Sequence, residues 1–142
     1  MEHYESLQHT KWECKYHLVW IPKRRKKVLY GQLRKDLVPV LRKLASQKES
    51  EVIEGKLKVD HVHMVVSIPP KYSVSQVVGY VKGKSAIWVA RATGRNRNFV
   101  GQNFWARGYY VSTVGLNEED IRAYVRSQEE ADEKLDQLKM FD

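Results

Sequence analysis

The sequence predicts a single α+β domain over residues 1–142, built on an antiparallel sheet, and three observations indicate it. A chain of 142 residues is long enough for one hydrophobic core but not for two. Its hydrophobic content of 42% is typical of a folded protein. Segments with strand and helix periodicity follow one another in the order strand, helix, strand, strand, helix, strand, helix. The first six match a ferredoxin-like or RRM-like arrangement, in which two helices cover one sheet face and leave the other open.

Each predicted element has a local reason. Aromatic and β-branched residues with partial or full alternation predict four strands, over residues 12–21, 51–59, 61–68 and 108–115. Apolar residues spaced three and four apart predict three helices, over residues 32–47, 75–92 and 117–139. Pro22 ends the first strand because proline has no amide donor. Pro39 is expected to kink the first helix or to shift its start, and Asn117 with Asp120 resembles an N-cap arrangement.

The charge is unevenly distributed along the chain. Through Val114 there are 21 Lys and Arg against 8 Asp and Glu, a net charge of +13. From Gly115 onward there are 4 basic residues against 9 acidic ones, a net charge of −5. A basic body with an acidic last helix favours a polyanionic partner such as nucleic acid, although surface charge also serves solubility.

The composition also excludes several classes of protein. No window approaches 18 uncharged apolar residues, so we expect no membrane span. The first 13 residues are too polar for a secretory signal. Cys14 is the only cysteine, which excludes an internal disulfide and a cysteine zinc site and suits a reducing cytoplasm.

Two histidines lie inside the apolar strand "VDHVHMVVSI", residues 59–68. Because strand side chains alternate, His61 and His63 leave the same sheet face. The residues between and after them would face the helices: Val62, Met64, Val66 and Ile68. A pair of imidazoles at this spacing can chelate one metal ion. Taken alone, the pair favours the reading of two partly buried histidines that are hydrogen-bonded to their neighbours.

The last predicted helix is available to cover the open sheet face. Six of its residues recur at intervals of three and four and form one inward stripe: Ile121, Tyr124, Gln128, Ala131, Leu135 and Leu138. Tyr124 and Gln128 are polar and one turn apart, so a docked helix would direct a phenol and an amide at the histidines. Taken alone, the stripe favours Tyr124 as an amphipathic core residue and Gln128 as a rim residue.

Five blocks of sequence carry a family resemblance, in this order: HTKWECKYHLVWIPKRRK, DHVHMVV, VGYVKGKSA, FWARGYYVSTVG and IRAYVRSQ. Together they resemble the single-tyrosine HUH transposases of the insertion-sequence 200/605 family (TnpA-like), across nearly the whole chain. The resemblance implies that Tyr124 is the nucleophile and that His61, His63 and Gln128 are metal ligands. It also implies a ferredoxin-like fold whose last helix carries the nucleophile. A second tyrosine of the Y-x-x-x-Y kind, found in related replication initiators, is absent from this helix.

The resemblance implies a reaction as well as a fold. The family cleaves and rejoins single-stranded DNA by transesterification through a 5′-phosphotyrosine, at ends that fold as hairpins. Every step keeps a phosphodiester, so no ATP is needed, and no nucleotide-binding glycine loop occurs in the sequence. The resemblance implies Mg²⁺ or Mn²⁺ as the divalent metal, which would neutralise charge on the phosphate. Ligand softness alone would equally allow Zn²⁺ or Ni²⁺.

Several other residues are candidates for supporting roles. The basic residues that we expect to contact phosphates are Lys82, Lys84, Arg107, Lys23, Arg24 and Arg25, of which the last three could instead serve solubility. His17 would share the open face and support a ligand, or else make core or surface hydrogen bonds. Asp60 would orient a histidine ring, or else be an ordinary acid at a strand end. Tyr109 and Tyr110 are interpreted as packing residues and not as nucleophiles.

We expect a homodimer, because mobilising an element needs two ends and each site has one tyrosine. The last helix would complete the site of its own subunit or that of its partner. The rival from another class is a non-catalytic RRM-like nucleic-acid-binding module, whose RNP aromatic signature is absent. A domesticated nuclease of the same family, acting on repeat hairpins, is a further alternative that genomic surroundings would distinguish. We expect a cytoplasmic, nucleoid-associated location in a bacterium or archaeon.

Overall fold

The structure, a computed structural model, describes residues 5–7, 10–94 and 104–114 together with Ala123 and Arg126. Its strands are β1 (Glu5–Leu7), β2 (Thr10–Trp12), β3 (Lys15–Trp20), β4 (Glu51–Lys58), β5 (His61–Ser67) and β6 (Tyr110–Val114). Its helices are α1 (Gly31–Ser46) and α2 (Val74–Ala92), and a short 3-10 turn spans Lys23–Arg25. Strands β3 to β6 form an antiparallel sheet in the order β4-β5-β3-β6. This confirms the predicted ferredoxin-like fold class.

The prediction of one continuous first strand over residues 12–21 is wrong. Trp12 belongs to β2 and pairs with Glu5 in a separate two-stranded sheet, whereas β3 begins at Lys15. The chain therefore changes sheets at Glu13 and Cys14, where the Cys14 carbonyl accepts a hydrogen bond from the Ile68 amide. Aromatic and β-branched composition favours strand on both sides of the break and does not reveal it.

Helices α1 and α2 begin differently, since α2 has a side-chain cap at its start and α1 has none. Helix α1 starts at Gly31, so Pro39 lies inside it and does not shift its start. Helix α2 opens with a capping box: Ser73 Oγ accepts from the Gln76 amide, and Gln76 Oε1 accepts from the Ser73 amide. Within the described residues no helix is long and apolar enough to cross a membrane.

The two faces of β5 are separated as the alternation predicts. Val62, Met64, Val66 and Ile68 belong to the core cluster under the helices, together with apolar residues of α1 and α2. Val65 packs on the opposite face with Val114 and Ile53. Every residue of β5 is buried, including those on the histidine face.

Most of the last predicted helix, over residues 117–139, lies outside the described residues. Ala123 and Arg126 are described, and both are helical and exposed. Tyr124, Gln128 and the predicted docking of this helix on the sheet are not among the features that the structure describes.

Candidate active site on the histidine face

Three histidines lie side by side on the two central strands of the sheet. His61 and His63 of β5 have ring centroids 4.5 Å apart, and the rings of His63 and His17 of β3 are 5.6 Å apart. Val19 pairs directly with His63, which makes His17 the diagonal neighbour of that residue. All three residues are buried. The antiparallel register thus places His17 beside the two histidines of the H-x-H pair.

Asp60 connects one histidine to a nearby arginine. Its Oδ1 lies 2.6 Å from His61 Nδ1, and its Oδ2 accepts from Arg25 Nε at 3.3 Å and Nη2 at 3.2 Å. Burial would raise the pKa of the Asp60 carboxyl, but the hydrogen bond and charge of His61, with those of Arg25, hold this pKa below its ordinary value. An ionised Asp60 accepts a hydrogen bond from Nδ1–H of His61 and so fixes the tautomer whose lone pair is on Nε2.

The surroundings keep two of the imidazoles neutral. Burial lowers the pKa of His63 to about 3, aided by the charges of His61, His17, Lys58 and Lys56. Burial alone lowers the pKa of His17 to about 4. A neutral imidazole presents the lone pair that a metal ion requires.

The histidine pair fits the two-imidazole part of a metal chelate. His61 Nε2 is a buried nitrogen that has no hydrogen-bond partner within the described residues. Such an atom is costly to bury unless something binds it. Among the described residues no three His, Cys, Asp or Glu side chains are grouped to hold an ion. The candidate third ligand, Gln128, and the candidate nucleophile, Tyr124, lie outside those residues.

The two candidate DNA contacts of α2, Lys82 and Lys84, have different surroundings. Lys82 is half-buried, and its Nζ donates to the carbonyls of Ala106 at 2.8 Å and Gly108 at 2.7 Å. Burial lowers its pKa from the ordinary value. Lys84 is exposed, with Nζ 5.9 Å from the centre of the Tyr80 ring. Lys82 therefore ties α2 to the segment before β6, whereas Lys84 is available to solvent.

The remaining basic candidates lie in two segments that are joined by backbone hydrogen bonds. Lys23 and Arg24 are exposed in the 3-10 turn, Arg25 is partly buried against Asp60, and Arg107 is exposed. The Lys23 amide donates to Phe104 O at 2.8 Å, and the Ala106 amide donates to Ile21 O at 2.9 Å. The phosphate-contact role of these residues stays a prediction.

Sequence reasoning missed two features of this region. Trp105 Nε1 donates to the buried Ser85 Oγ at 2.9 Å, and its ring packs edge-on against Trp20. This contact joins two of the blocks that carried the family resemblance. Tyr109 packs against the core as predicted, but Tyr110 is 53% exposed and its ring lies 6.2 Å from that of His17. Pairing of Tyr110 with Val19 across β3 puts it on the histidine face, a signal available only once the register is known.

Comparison with known proteins decides the family. The family described as "Transposase IS200 like" matches residues 10–128, which is most of the chain. The chain belongs to the IS200-like transposase family. The transposase for insertion sequence element IS200 of Salmonella typhimurium strain LT2 is 43% identical over 135 residues, covering 94% of this chain and 89% of that protein. The ISDra2 transposase TnpA of Deinococcus radiodurans is 34% identical over 120 residues, covering 82% and 85%.

Solved structures agree with this IS200-like transposase fold. A crystal structure from Deinococcus radiodurans R1, described as a candidate transposase, superposes with a TM-score of 0.70 and 27% identity, covering 87% of this chain and 97% of that one. A REP-associated tyrosine transposase bound to a REP hairpin superposes with a TM-score of 0.57 and 16% identity, covering 85% and 68%. The family predicted from the five sequence blocks is confirmed, and the chain is a transposase of that family.

Proposed function

We propose that this transposase cleaves and rejoins single-stranded DNA at insertion-sequence ends by metal-assisted transesterification, with Tyr124 as nucleophile. The observation that carries the proposal is the histidine face, where Asp60 leaves His61 Nε2 buried with no hydrogen-bond partner in the described part of the chain. A carboxylate behind a histidine is the usual support of a metal ligand. Membership of the IS200-like family makes DNA transposition the setting of this chemistry.

In this mechanism the covalent step belongs to Tyr124. Its phenol oxygen forms a bond to the scissile phosphorus while the bond from phosphorus to the 3′ oxygen breaks. The phenol proton leaves to solvent, and the departing 3′ oxygen takes a proton to become a hydroxyl. The product is a 5′-phosphotyrosine, and attack by a 3′-hydroxyl reverses the step and rejoins DNA.

The described residues orient and hold groups for this step. Arg25 fixes Asp60, Asp60 fixes the tautomer of His61, and burial keeps His63 neutral. His61 and His63, with Gln128 as the third ligand, would hold Mg²⁺ or Mn²⁺, which when bound neutralises charge on the reacting phosphate. The neutral ligand set suits an ion that is used to bind a phosphodiester, because the ligands leave its full charge for the substrate.

The DNA partner is proposed to carry hairpin ends. A REP-associated tyrosine transposase with the same fold was solved bound to a REP hairpin, which supports hairpin DNA as the substrate to test. The exposed basic residues Lys84 and Arg107 are proposed as phosphate contacts, since Lys and Arg that neutralise phosphates supply most of the sequence-independent affinity. We propose a homodimer in which the last helix of one subunit completes the site of the other.

The decisive experiment replaces Tyr124 with phenylalanine, which removes one hydroxyl. The purified protein is incubated with Mg²⁺ and a hairpin oligonucleotide from the end of its own element. We expect the unchanged protein to form a covalent adduct on a denaturing gel and Tyr124→Phe to form none, while hairpin binding stays within about twofold, since loss of one hydroxyl costs little affinity. Tyr30→Phe is the matched control, because Tyr30 is 62% exposed outside the histidine face. An adduct that persists with Tyr124→Phe would show that another side chain is the nucleophile.

A further inference from the structure

Tyr110 differs from the other residues of the histidine face because it is at the edge of the sheet. It is the first residue of β6 and pairs with Val19, the same residue that pairs with His63 on the other side. His63, Val19 and Tyr110 therefore form one row across three strands. His63 is fully buried at one end of this row, whereas Tyr110 is 53% exposed at the other.

The ring of Tyr110 is held in place while much of it stays accessible. It makes a T-shaped contact with His17, with centroids 6.2 Å apart and planes at 72°. The chain before it is anchored, because Lys82 Nζ donates to Gly108 O at 2.7 Å. A ring that contacts a fixed neighbour on one side and is exposed on the rest of its surface can stack on another flat group.

Charge on the same sheet face favours a nucleic acid as the source of that flat group. Lys56 pairs with His63 and Lys58 pairs with His61 at the β4 side of the face, and both raise the positive potential around the imidazoles. A single strand has phosphates for these cations and bases for an aromatic ring. The regular alternation of phosphate and base along a single strand matches this arrangement of cations and ring on one face.

We propose that Tyr110 is a stacking site for a nucleobase of the single strand that reaches the histidine face over the β6 edge. The proposal rests on the proposed function and adds to it a base-binding residue on the same sheet face as Lys56 and Lys58, but on β6 and not on β4. Stacking on an aromatic ring tolerates any base, so the site contributes affinity and positioning and not sequence readout.

The test measures binding without cleavage. Kd is measured by fluorescence anisotropy in EDTA for two probes of equal length: oligo(dT) and a fully abasic strand that keeps the phosphates and lacks the bases. Tyr110→Ala is expected to weaken oligo(dT) binding about 5- to 150-fold and to leave binding of the abasic strand unchanged. Tyr110→Phe keeps the ring and is expected to bind both probes as the unchanged protein does.

Two further variants control for folding and for the edge strand. Val111→Ala changes the adjacent β6 residue, which is 41% exposed and faces the other side, and is expected to change neither Kd. Tyr110→Leu keeps a large apolar side chain without an aromatic ring, so it replaces Tyr110→Ala if the alanine variant does not fold by circular dichroism.

The outcomes separate the possibilities. If Tyr110→Ala weakens binding of both probes equally, Tyr110 acts on the phosphates or on the fold. If Tyr110→Phe binds as weakly as Tyr110→Ala, the effect belongs to the hydroxyl. Either result overturns stacking. Unchanged oligo(dT) binding in Tyr110→Ala, or no binding of oligo(dT) by the unchanged protein, also overturns it. A normal tyrosine adduct with any of these results leaves the proposed function standing.

Discussion

Lys82 and Lys84 offer a comparison that tests whether a lysine of α2 serves the fold or the DNA. Both are in the sequence YVKGKS and were predicted to contact phosphates. In the structure Lys82 donates to two backbone carbonyls, of Ala106 and Gly108, whereas Lys84 is exposed. Replacing each lysine with methionine removes the ammonium and keeps a long apolar stem. The two variants should therefore differ in stability.

The size of the difference follows from the two hydrogen bonds. Each hydrogen bond to a charged group contributes about 1.5–3 kcal/mol, and ordering a lysine side chain costs up to about 2 kcal/mol. Gly108 is exposed, so water can replace the ammonium at its carbonyl and reduce the loss. We expect Lys82→Met to lower the free energy of unfolding by about 2 kcal/mol, which for a domain of this size lowers Tm by about 5–8 °C. Lys84→Met should change it by less than about 0.5 kcal/mol.

The assay is thermal denaturation of both variants beside the unchanged protein, followed by the salt dependence of hairpin binding. Lys84→Met should weaken binding and reduce the slope of log Kd against log salt by roughly 0.7–0.9, the value for one phosphate contact. Lys82→Met should leave this slope unchanged. If Lys82→Met keeps its Tm and reduces the slope of log Kd against log salt as much as Lys84→Met does, the ammonium of Lys82 serves DNA and not the carbonyls.

Two further predictions concern the proposed metal site and the proposed assembly. Asp60→Asn should weaken Mn²⁺ binding about 10- to 100-fold, measured by calorimetry, because the amide no longer fixes the His61 tautomer. Arg25→Gln leaves the hydrogen bond between Asp60 and His61 in place and should weaken Mn²⁺ binding by less. Equal losses of affinity in the two variants would contradict the role of Asp60. If sites are completed between subunits, mixing a His61→Ala/His63→Ala protein with a Tyr124→Phe protein should restore nicking of a hairpin oligonucleotide that neither nicks alone. Failure to restore it, with subunit exchange verified by native mass spectrometry, would mean that each subunit completes its own site.

The fold was predictable because its signals are periodic. Alternation along β5 assigned Val62 and Met64 to the helix layer and the two histidines to the other face, and the structure has this arrangement. The break between β2 and β3 was not predictable, because Glu13 and Cys14 are ordinary strand residues locally and the change of sheet depends on pairing of Trp12 with Glu5. Pairing partners distant in sequence leave no periodic trace.

The candidate site was predictable in its histidines and less so in their surroundings. The contact of Arg25 with Asp60 requires a turn in which Arg24 and Arg25 have φ of 61° and 53°. Residues other than glycine rarely adopt this conformation, and the composition of the segment does not predict it. The structural role of Lys82 was missed for a related reason. A lysine in a basic segment has the same sequence signal whether it binds a phosphate or a carbonyl.

The order of strands in the sheet gives the two sides of the site different resistance to local opening. His61 and His63 are on β5, which has a hydrogen-bonded neighbour on each side, whereas Tyr110 is on β6, which has β3 alone within the described residues. Edge strands open at lower free energy than interior ones, so β6 can detach transiently while the imidazoles keep their spacing. If the pair chelates a metal ion as proposed, its spacing would persist while a DNA strand at the β6 edge is released and bound again. Opening of β6 then need not change the distance between His61 and His63.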